Sequence, residues 1–189
     1  MNPAYLKHHK LLLRLKLRHS LSRIQTACRK RKSRIIIGKL TRNPVFKKAR
    51  NVLTYVALPD EVETREFILK ALKSGKNVFV PAVERARKRI RIYRIESLRR
   101  DLRKGAYGID EPLKKKARLG DPKCLDLILV PGLGFDRMGR RLGRGAGYYD
   151  RFLKRASGVV KVGIAFKEQV VKKIPTAKHD VRLDDVITD

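Results

Sequence analysis

Arg140, Arg141 and Arg144 stand among Gly132, Gly134, Gly139, Gly143, Gly145 and Gly147. A guanidinium gives charge-assisted, often bidentate hydrogen bonds to phosphate oxygens, and glycine lets backbone N–H groups approach the same anion. Asp150 follows closely, placed either to interact with a helix dipole or to hold a metal. Ahead of the glycines, Leu127, Ile128, Leu129 and Val130 form an unbroken apolar run ended by Pro131. Such a run suits a strand buried on both faces of a parallel sheet. Behind them, Tyr148, Tyr149, Phe152 and Leu153 repeat as the apolar stripe of a helix. Strand, glycine loop and helix in that order aim main-chain amides and a helix N-terminus at a phosphate. An ordinary surface loop with an aspartate at the helix start is the competing reading. No GxxxxGK[ST] occurs, and the third glycine is mis-spaced for a dinucleotide fingerprint. The residues support a phosphate loop and go no further.

The elements that must position this loop come from one chain of 189 residues, enough for a single domain with one core. No apolar run is long enough to span a bilayer, so the expected protein is soluble and cytoplasmic. Cys28 and Cys124 are far apart in sequence, which suits free thiols in a reducing compartment. The net charge of +30 favours a polyanionic partner such as nucleic acid, but equally an enzyme with several anionic substrates. Charge does not decide between them.

Residues 1–59 contain no Asp or Glu. Leu6, Leu11, Leu12, Leu13, Leu15, Leu17, Leu21 and Ile24 interleave there with Lys7, Lys10, Arg14, Lys16, Arg18 and Arg23. This reads as a basic amphipathic helix. It is open to four uses: packing on the core, organelle targeting, a surface-binding helix, or a nucleic-acid arm. A second basic helix is expected over Ile24–Leu40, with Gly38 near its end, then a turn at Asn43-Pro44. Asn51–Leu58 reads as the first buried strand, stopped by Pro59. Asp60, Glu61 and Glu63 come just past it, where open α/β sheets keep their ligand crevice, although Glu63 and Glu66 also suit the first turn of the next helix.

Phe67–Leu72 carries a helical stripe with Gly75 as its C′ residue, and Asn77–Val83 is a strand interrupted by Pro81. Arg89–Ile95 alternates as a half-exposed strand with a basic face, whose only aromatic, Tyr93, makes it a poor base-stacking platform. Ser97–Arg103 suits a short helix capped by Ser97, Tyr107–Pro112 a turn, and Lys114, Lys115, Lys116 and Arg118 a basic linker. Val159–Phe166 is a further buried strand. His179 lacks a second histidine for a metal site, whereas Asp180 could join another carboxylate in a magnesium site. Alternating strands and helices imply a mainly parallel sheet with helices on both faces.

The segment PGLGFDRMGRRLGRGAGYYDRFL, Pro131–Leu153, resembles the signature of the 5-formyltetrahydrofolate cyclo-ligase, or methenyltetrahydrofolate synthetase, family. Similar matches occur at Asp60–Thr64, Gly108–Pro112, Ala165–Gln169, His179-Asp180 and Asp185–Thr188. The resemblance implies a Rossmann-like three-layer α/β/α sandwich spanning residues 1–189 as one domain, with basic helices over 1–42 and a monomeric state. It implies ATP- and Mg²⁺-dependent conversion of 5-formyltetrahydrofolate to 5,10-methenyltetrahydrofolate. By the same resemblance Lys10, Arg14, Arg141, Leu142, Gly143, Arg144, Gly145, Ala146, Gly147, Tyr148 and Tyr149 bind ATP. Val56, Glu61, Arg144, Gly145, Ala146, Gly147 and Tyr148 meet the folate, Asp150 and Asp180 hold Mg²⁺, and Arg144 and Tyr148 are catalytic. Asp184 and Asp185 are neighbouring carboxylates should the register shift, and GIDEP is either near the site or a structural loop. Ala146 departs from the family, whose members carry Lys or Gly there, and puts one phosphate contact in doubt. The competing function is a nucleic-acid binder on the same fold, with weak or no catalysis, and non-specific nucleic-acid binding is expected from the charge in any case.

Overall fold

The computed structural model describes residues 2–105, 110–113, 118–177 and 180–189. Helices α1 (Pro3–Ser22), α2 (Thr26–Arg42) and α3 (Pro44–Lys48) precede strand β1 (Asn51–Leu53). Then follow α4 (Arg65–Lys73), β2 (Asn77–Glu84), β3 (Arg89–Ile95), α5 (Leu98–Asp101), β4 (Leu102–Lys104), β5 (Asp110–Pro112) and β6 (Arg118–Gly120). The second half contains β7 (Leu127–Val130), β8 (Gly134–Asp136), β9 (Arg141–Leu142), α6 (Tyr148–Arg155), β10 (Val160–Ala165), β11 (Val170–Val171) and β12 (Asp185–Thr188).

The central sheet runs β12-β10-β7-β1-β2-β3-β6, parallel from β12 to β2 and antiparallel at β3 and β6. Side chains alternate across it, and β7 shows the result. Leu127 and Leu129 pack on one side with Leu21, Ile36, Ile37, Leu40, Phe46 and Phe67, from the α1–α4 layer. Ile128 and Val130 pack on the other with Phe152 and Leu153 of α6. The expected α/β/α sandwich with a mainly parallel sheet is therefore the observed architecture.

Four local expectations are corrected. The first strand ends at Leu53, not Leu58, and Pro81 supplies the reason. The parallel ladder runs Asn77 N to Arg50 O and Thr54 N to Phe79 O, so the next rung needs a donor at position 81. Proline has none, and the chain from Thr54 onward leaves the sheet. Asn43-Pro44 opens α3 rather than making a bare turn. The Asn43 side chain accepts from Val45 N, and Pro44 occupies the first turn, where a missing N–H does no harm. The glycine loop is not open throughout: β8 and β9 pair antiparallel within it, and β11 lies parallel to β8. The Ser97-capped helix also stops at Asp101, giving way to β4. The Lys114–Lys116 linker and the first half of Tyr107–Pro112 lie outside the described residues.

Asp136, buried in the loop, holds the β8–β9 turn: its Oδ1 accepts from Met138 N and Arg140 N, and Oδ2 from Ile174 N. Gly139 turns the chain at φ +73°, and a Cβ there would overlap the Leu183 carbonyl oxygen. Backbone strain and overlap act together in Gly139→Ala, which is expected to lower stability by about 2–4 kcal/mol in urea denaturation. A change below half a kcal/mol would show that the turn relaxes freely.

Candidate functional site

The glycine loop leaves the carboxyl end of β7, the edge of a parallel sheet at which ligands bind in open α/β folds. Gln169, buried in the short 3₁₀ turn after β10, fastens its base: Nε2 donates to Gly132 O at 2.7 Å and Oε1 accepts from Phe166 N. Leu142 is buried with Leu17 of α1 and Ile174, and its carbonyl accepts from Leu133 N. Its side chain is an anchor, so a ligand there would meet neighbouring main chain. Gly145 (φ +114°) and Gly147 (φ +67°) take left-handed conformations, and no side chain caps α6 behind Gly147. The N–H groups of that first turn are therefore left for an anion.

Helix α1 approaches the loop from the other side. Arg14 Nε donates to Gly143 O at 2.9 Å, and Lys10 Nζ pairs with Asp180 Oδ2 at 2.5 Å. Lys10 and Arg14 thus share the inward face, as one turn's separation requires. Burial pulls the Arg14 pKa below its ordinary value, and Arg18 adds to this, while Asp180 opposes it. The Asp180 carboxylate also accepts from Ala177 N at 2.7 Å. His179 lies outside the described residues.

Arg141 is almost wholly buried. Its Nη2 donates to Asp150 Oδ1 at 2.9 Å and its Nη1 to Pro131 O at 3.2 Å, with the guanidinium carbon 5.6 Å from the Tyr149 ring centre. A Cβ on Gly143 would meet the same guanidinium at 2.8 Å, which explains why the chain is glycine there. Lys10 of α1 thus reaches Asp180, Arg14 one turn later reaches the Gly143 carbonyl of the glycine loop, and Arg141 of the same loop reaches Asp150.

Arg144 makes the second bridge. Its Nη2 reaches Asp60 Oδ1 at 2.6 Å and Glu61 Oε1 at 3.2 Å, tying the glycine loop to the segment after β1. Glu61 is buried, and its other oxygen accepts from Leu58 N. Burial raises the Glu61 pKa above the usual carboxylate range, although Leu58 N and Arg144 both act to lower it. Tyr55 and Tyr149 are also raised, first by burial and then by the Glu61 charge, so both phenols keep their protons. Arg144 in turn is drawn down by burial but raised on balance by its hydrogen bonds and charge pairing with Asp60 and Glu61. Val56 is half-buried against the α1–α4 side of the core, and Tyr148 half-buried against the α6 side, where Arg151 lies 5.3 Å from its ring centre.

The raised Glu61 pKa fixes a sign. A carboxyl that holds its proton more tightly when folded stabilises the fold most below the unfolded value of about 4.3, and loses that contribution as pH rises through the folded value. Glu61→Gln removes the titration and keeps an acceptor for Leu58 N. The stability advantage of wild type over Glu61→Gln should therefore shrink with rising pH across that window. Urea midpoints taken from pH 4 to 7 read it directly, and parallel curves would refute the assignment.

A cleft of about 310 Å³ opens beside this cluster, lined by Gly145, Ala146, Gly147, Asp150, Arg151 and Lys154. Arg151 donates from Nη2 to Ala146 O and from Nε to Lys88 O. Arg151 and Lys154 bring to the cleft the positive charge that Ala146 lacks. Neither was among the residues singled out by the sequence. The available signal was their position one and two turns into a helix that starts at the glycine loop. The sequence places Asp60 at the ligand crevice past the first strand and in the Asp60–Thr64 match, but its pairing with Arg144 has no trace in sequence spacing.

The family model for 5-formyltetrahydrofolate cyclo-ligases matches residues 6–189. The chain belongs to that family. Among its relatives, the 5-formyltetrahydrofolate cyclo-ligase of Mus musculus is 33% identical over 184 residues, covering 93% of this chain and 91% of the mouse protein. The solved 5,10-methenyltetrahydrofolate synthetase of Aquifex aeolicus superposes with a TM-score of 0.84 at 37% identity, over 95% of this chain and 89% of that one. The Mycoplasma pneumoniae synthetase does so with a TM-score of 0.75 at 25% identity, over 95% and 98%. Cyclo-ligase membership covers all the segments that meet at the site: α1, the acid segment after β1, the glycine loop and the stretch around Asp180.

Proposed function

We propose that this chain closes 5-formyltetrahydrofolate to 5,10-methenyltetrahydrofolate with ATP and Mg²⁺, releasing ADP and phosphate. The observation that carries this reading is the double tie of the glycine loop, through Arg144 to Asp60 and Glu61 and through Arg14 to α1. It brings a phosphate-type loop against a buried acid and two protonated tyrosines, the surroundings a triphosphate and a polar heterocycle require.

A formamide carbonyl is a poor electrophile and its oxygen a poor leaving group. Attack of the formyl oxygen on the γ-phosphorus, with loss of ADP, converts that oxygen into a phosphate ester. N10 then bonds to the formyl carbon, the C–O bond breaks with phosphate leaving, and N10 gives up its proton. Such a sequence needs positioning and charge neutralisation more than a side-chain nucleophile. Arg141, Arg14, Lys10 and the amides of Gly143, Gly145, Ala146, Gly147, Tyr148 and Tyr149 would hold the triphosphate. Arg144 would sit between it and the folate, neutralising charge on the transferring phosphoryl group. Glu61, Val56 and Tyr148 would fix the pterin, with the carboxyl of Glu61 accepting from its ring N–H groups.

Asp150 and Asp180 would hold the magnesium ion, and the donor set suits it. Mg²⁺ takes one or two carboxylates and completes its shell with phosphate oxygens and water. Among the described residues no three potential ligands gather, which leaves that completion to the nucleotide. When bound, the ion offsets charge on the phosphates as ADP departs. Asp150 uses only Oδ1 in hydrogen bonds among the described residues.

Incubation with Mg-ATP and 5-formyltetrahydrofolate should yield ADP and the methenyl absorbance in equal amounts. A folded protein giving neither would end the assignment. The nucleic-acid alternative draws on the +30 charge, but the basic strand offers it little: in β3, Ile92 and Tyr93 are both buried, and Arg89 and Arg91 face Glu84. Steeply salt-dependent nucleic-acid binding that ATP does not compete would favour that alternative.

A further inference from the structure

The outward face of α1 takes no part in the site. Its inward face carries Lys10 and Arg14 to their partners and buries Leu17 and Leu21. On the opposite side, at about 100° per residue, Leu11, Leu15, Leu12 and Tyr5 fall within one sector of roughly 120°. Each is about half exposed: Leu11 51%, Leu12 50%, Leu15 57% and Tyr5 53%. They are four of the nine exposed large hydrophobic side chains among the described residues, gathered on one helix. Exposed Lys7 and Arg18 border the stripe on one side and exposed Lys16 on the other. No acid occurs before Asp60.

Charge and apolarity together narrow the occupant. A second copy docking here would bring two acid-free basic surfaces face to face, which like-charge repulsion opposes. Nucleic acid would use the cations but give the leucines nothing to bury, and Tyr5 alone is no stacking platform. An anionic lipid surface satisfies both features, with the headgroups meeting the lysines and arginine and the acyl boundary covering the leucines. We propose that α1 docks the protein on anionic membrane surfaces, lying in the interface plane with Tyr5, Leu11, Leu12 and Leu15 immersed and Lys7, Lys16 and Arg18 at the headgroups. This is adsorption, not spanning: among the described residues no helix is long and apolar enough to cross a membrane. Lys10 and Arg14 stay with their partners on the far side of the same helix.

The test uses the full chain with phosphatidylcholine vesicles, with and without phosphatidylglycerol, at physiological salt. Binding is expected only where phosphatidylglycerol is present. The triple variant Leu11→Ser/Leu12→Ser/Leu15→Ser should partition more weakly by on the order of a hundredfold, because the apolar burial is gone while the charge is unchanged. Since these side chains are exposed, its circular dichroism and methenyl formation should match wild type. The protein contains no tryptophan, so Leu12→Trp supplies a single fluorophore. Its emission should shift to the blue on phosphatidylglycerol vesicles and become shielded from a water-soluble quencher. This variant keeps the proposal testable if the triple variant misfolds. Equal binding of wild type and triple variant, unshifted Leu12→Trp emission on bound protein, or failure of wild type to bind would each overturn it. Retention on DNA or RNA without vesicle binding would assign the charge to nucleic acid instead.

Discussion

Arg144→Ala is expected to lower kcat/KM for methenyl formation by about a thousandfold, the range seen when a guanidinium that neutralises a transferring phosphoryl group is removed. Two losses combine. The loop loses its tie to Asp60 and Glu61, and the proposed cation at the reacting phosphate disappears. Glu61 is buried, and without Arg144 it keeps only the Leu58 amide against the burial that already raises its pKa. The variant should therefore hold Glu61 protonated to a higher pH and lose about 1–3 kcal/mol of stability from the unpaired polar group. Arg144→Lys keeps the charge but not the rigid planar guanidinium whose Nη2 meets Asp60 and Glu61 together, so an intermediate loss of about ten- to a hundredfold is expected. Steady-state kinetics beside urea denaturation separate chemistry from folding. A loss in kcat/KM below tenfold in Arg144→Ala would remove Arg144 from the reaction.

Asp150→Asn should lower kcat by about a hundredfold or more and move the Mg²⁺ requirement to higher concentration. Asparagine preserves the shape and a carbonyl acceptor but removes the charge that pairs with Arg141 and that the proposed metal would use. Arg141 is nearly inaccessible to water, and its Nε already has no partner among the described residues. Loss of the carboxylate charge should therefore destabilise the loop as well, by about 1–3 kcal/mol, less than the cost of breaking a fully buried pair because Asp150 is partly exposed. Asp180→Asn should shift the Mg²⁺ titration in the same direction while releasing Lys10 from its ion pair. Magnesium titrations of activity provide the measurement. If Asp150→Asn retained the wild-type Mg²⁺ curve, the carboxylate would be a structural partner of Arg141 alone.

Local pattern made the core elements of the sandwich readable. The Leu127–Val130 run announced a strand covered on both sides, Gly75 a helix end, and Ser97 a cap, because each depends on nearest neighbours in the chain. The motif from Pro131 to Leu153 and its companions carried the family, and with it the candidate residues, since a long ordered match encodes a site that no single spacing does. What escaped was non-local. Thr54–Leu58 looks as strand-like as Asn51–Leu53, yet β1 stops because a proline on a different strand cannot complete the next rung. Arg144 looked like a free phosphate ligand, and Lys10 another, until folding set Asp60, Glu61 and Asp180 against them. The same is true of α1, whose composition allowed four uses at once. Composition and periodicity fixed how much apolar surface that helix carries, while only the packed structure decided which leucines the core covers and which remain in water. Secondary structure follows from contacts a few residues apart. Charge pairing and burial depend on which distant segments meet, and that is a property of the whole fold.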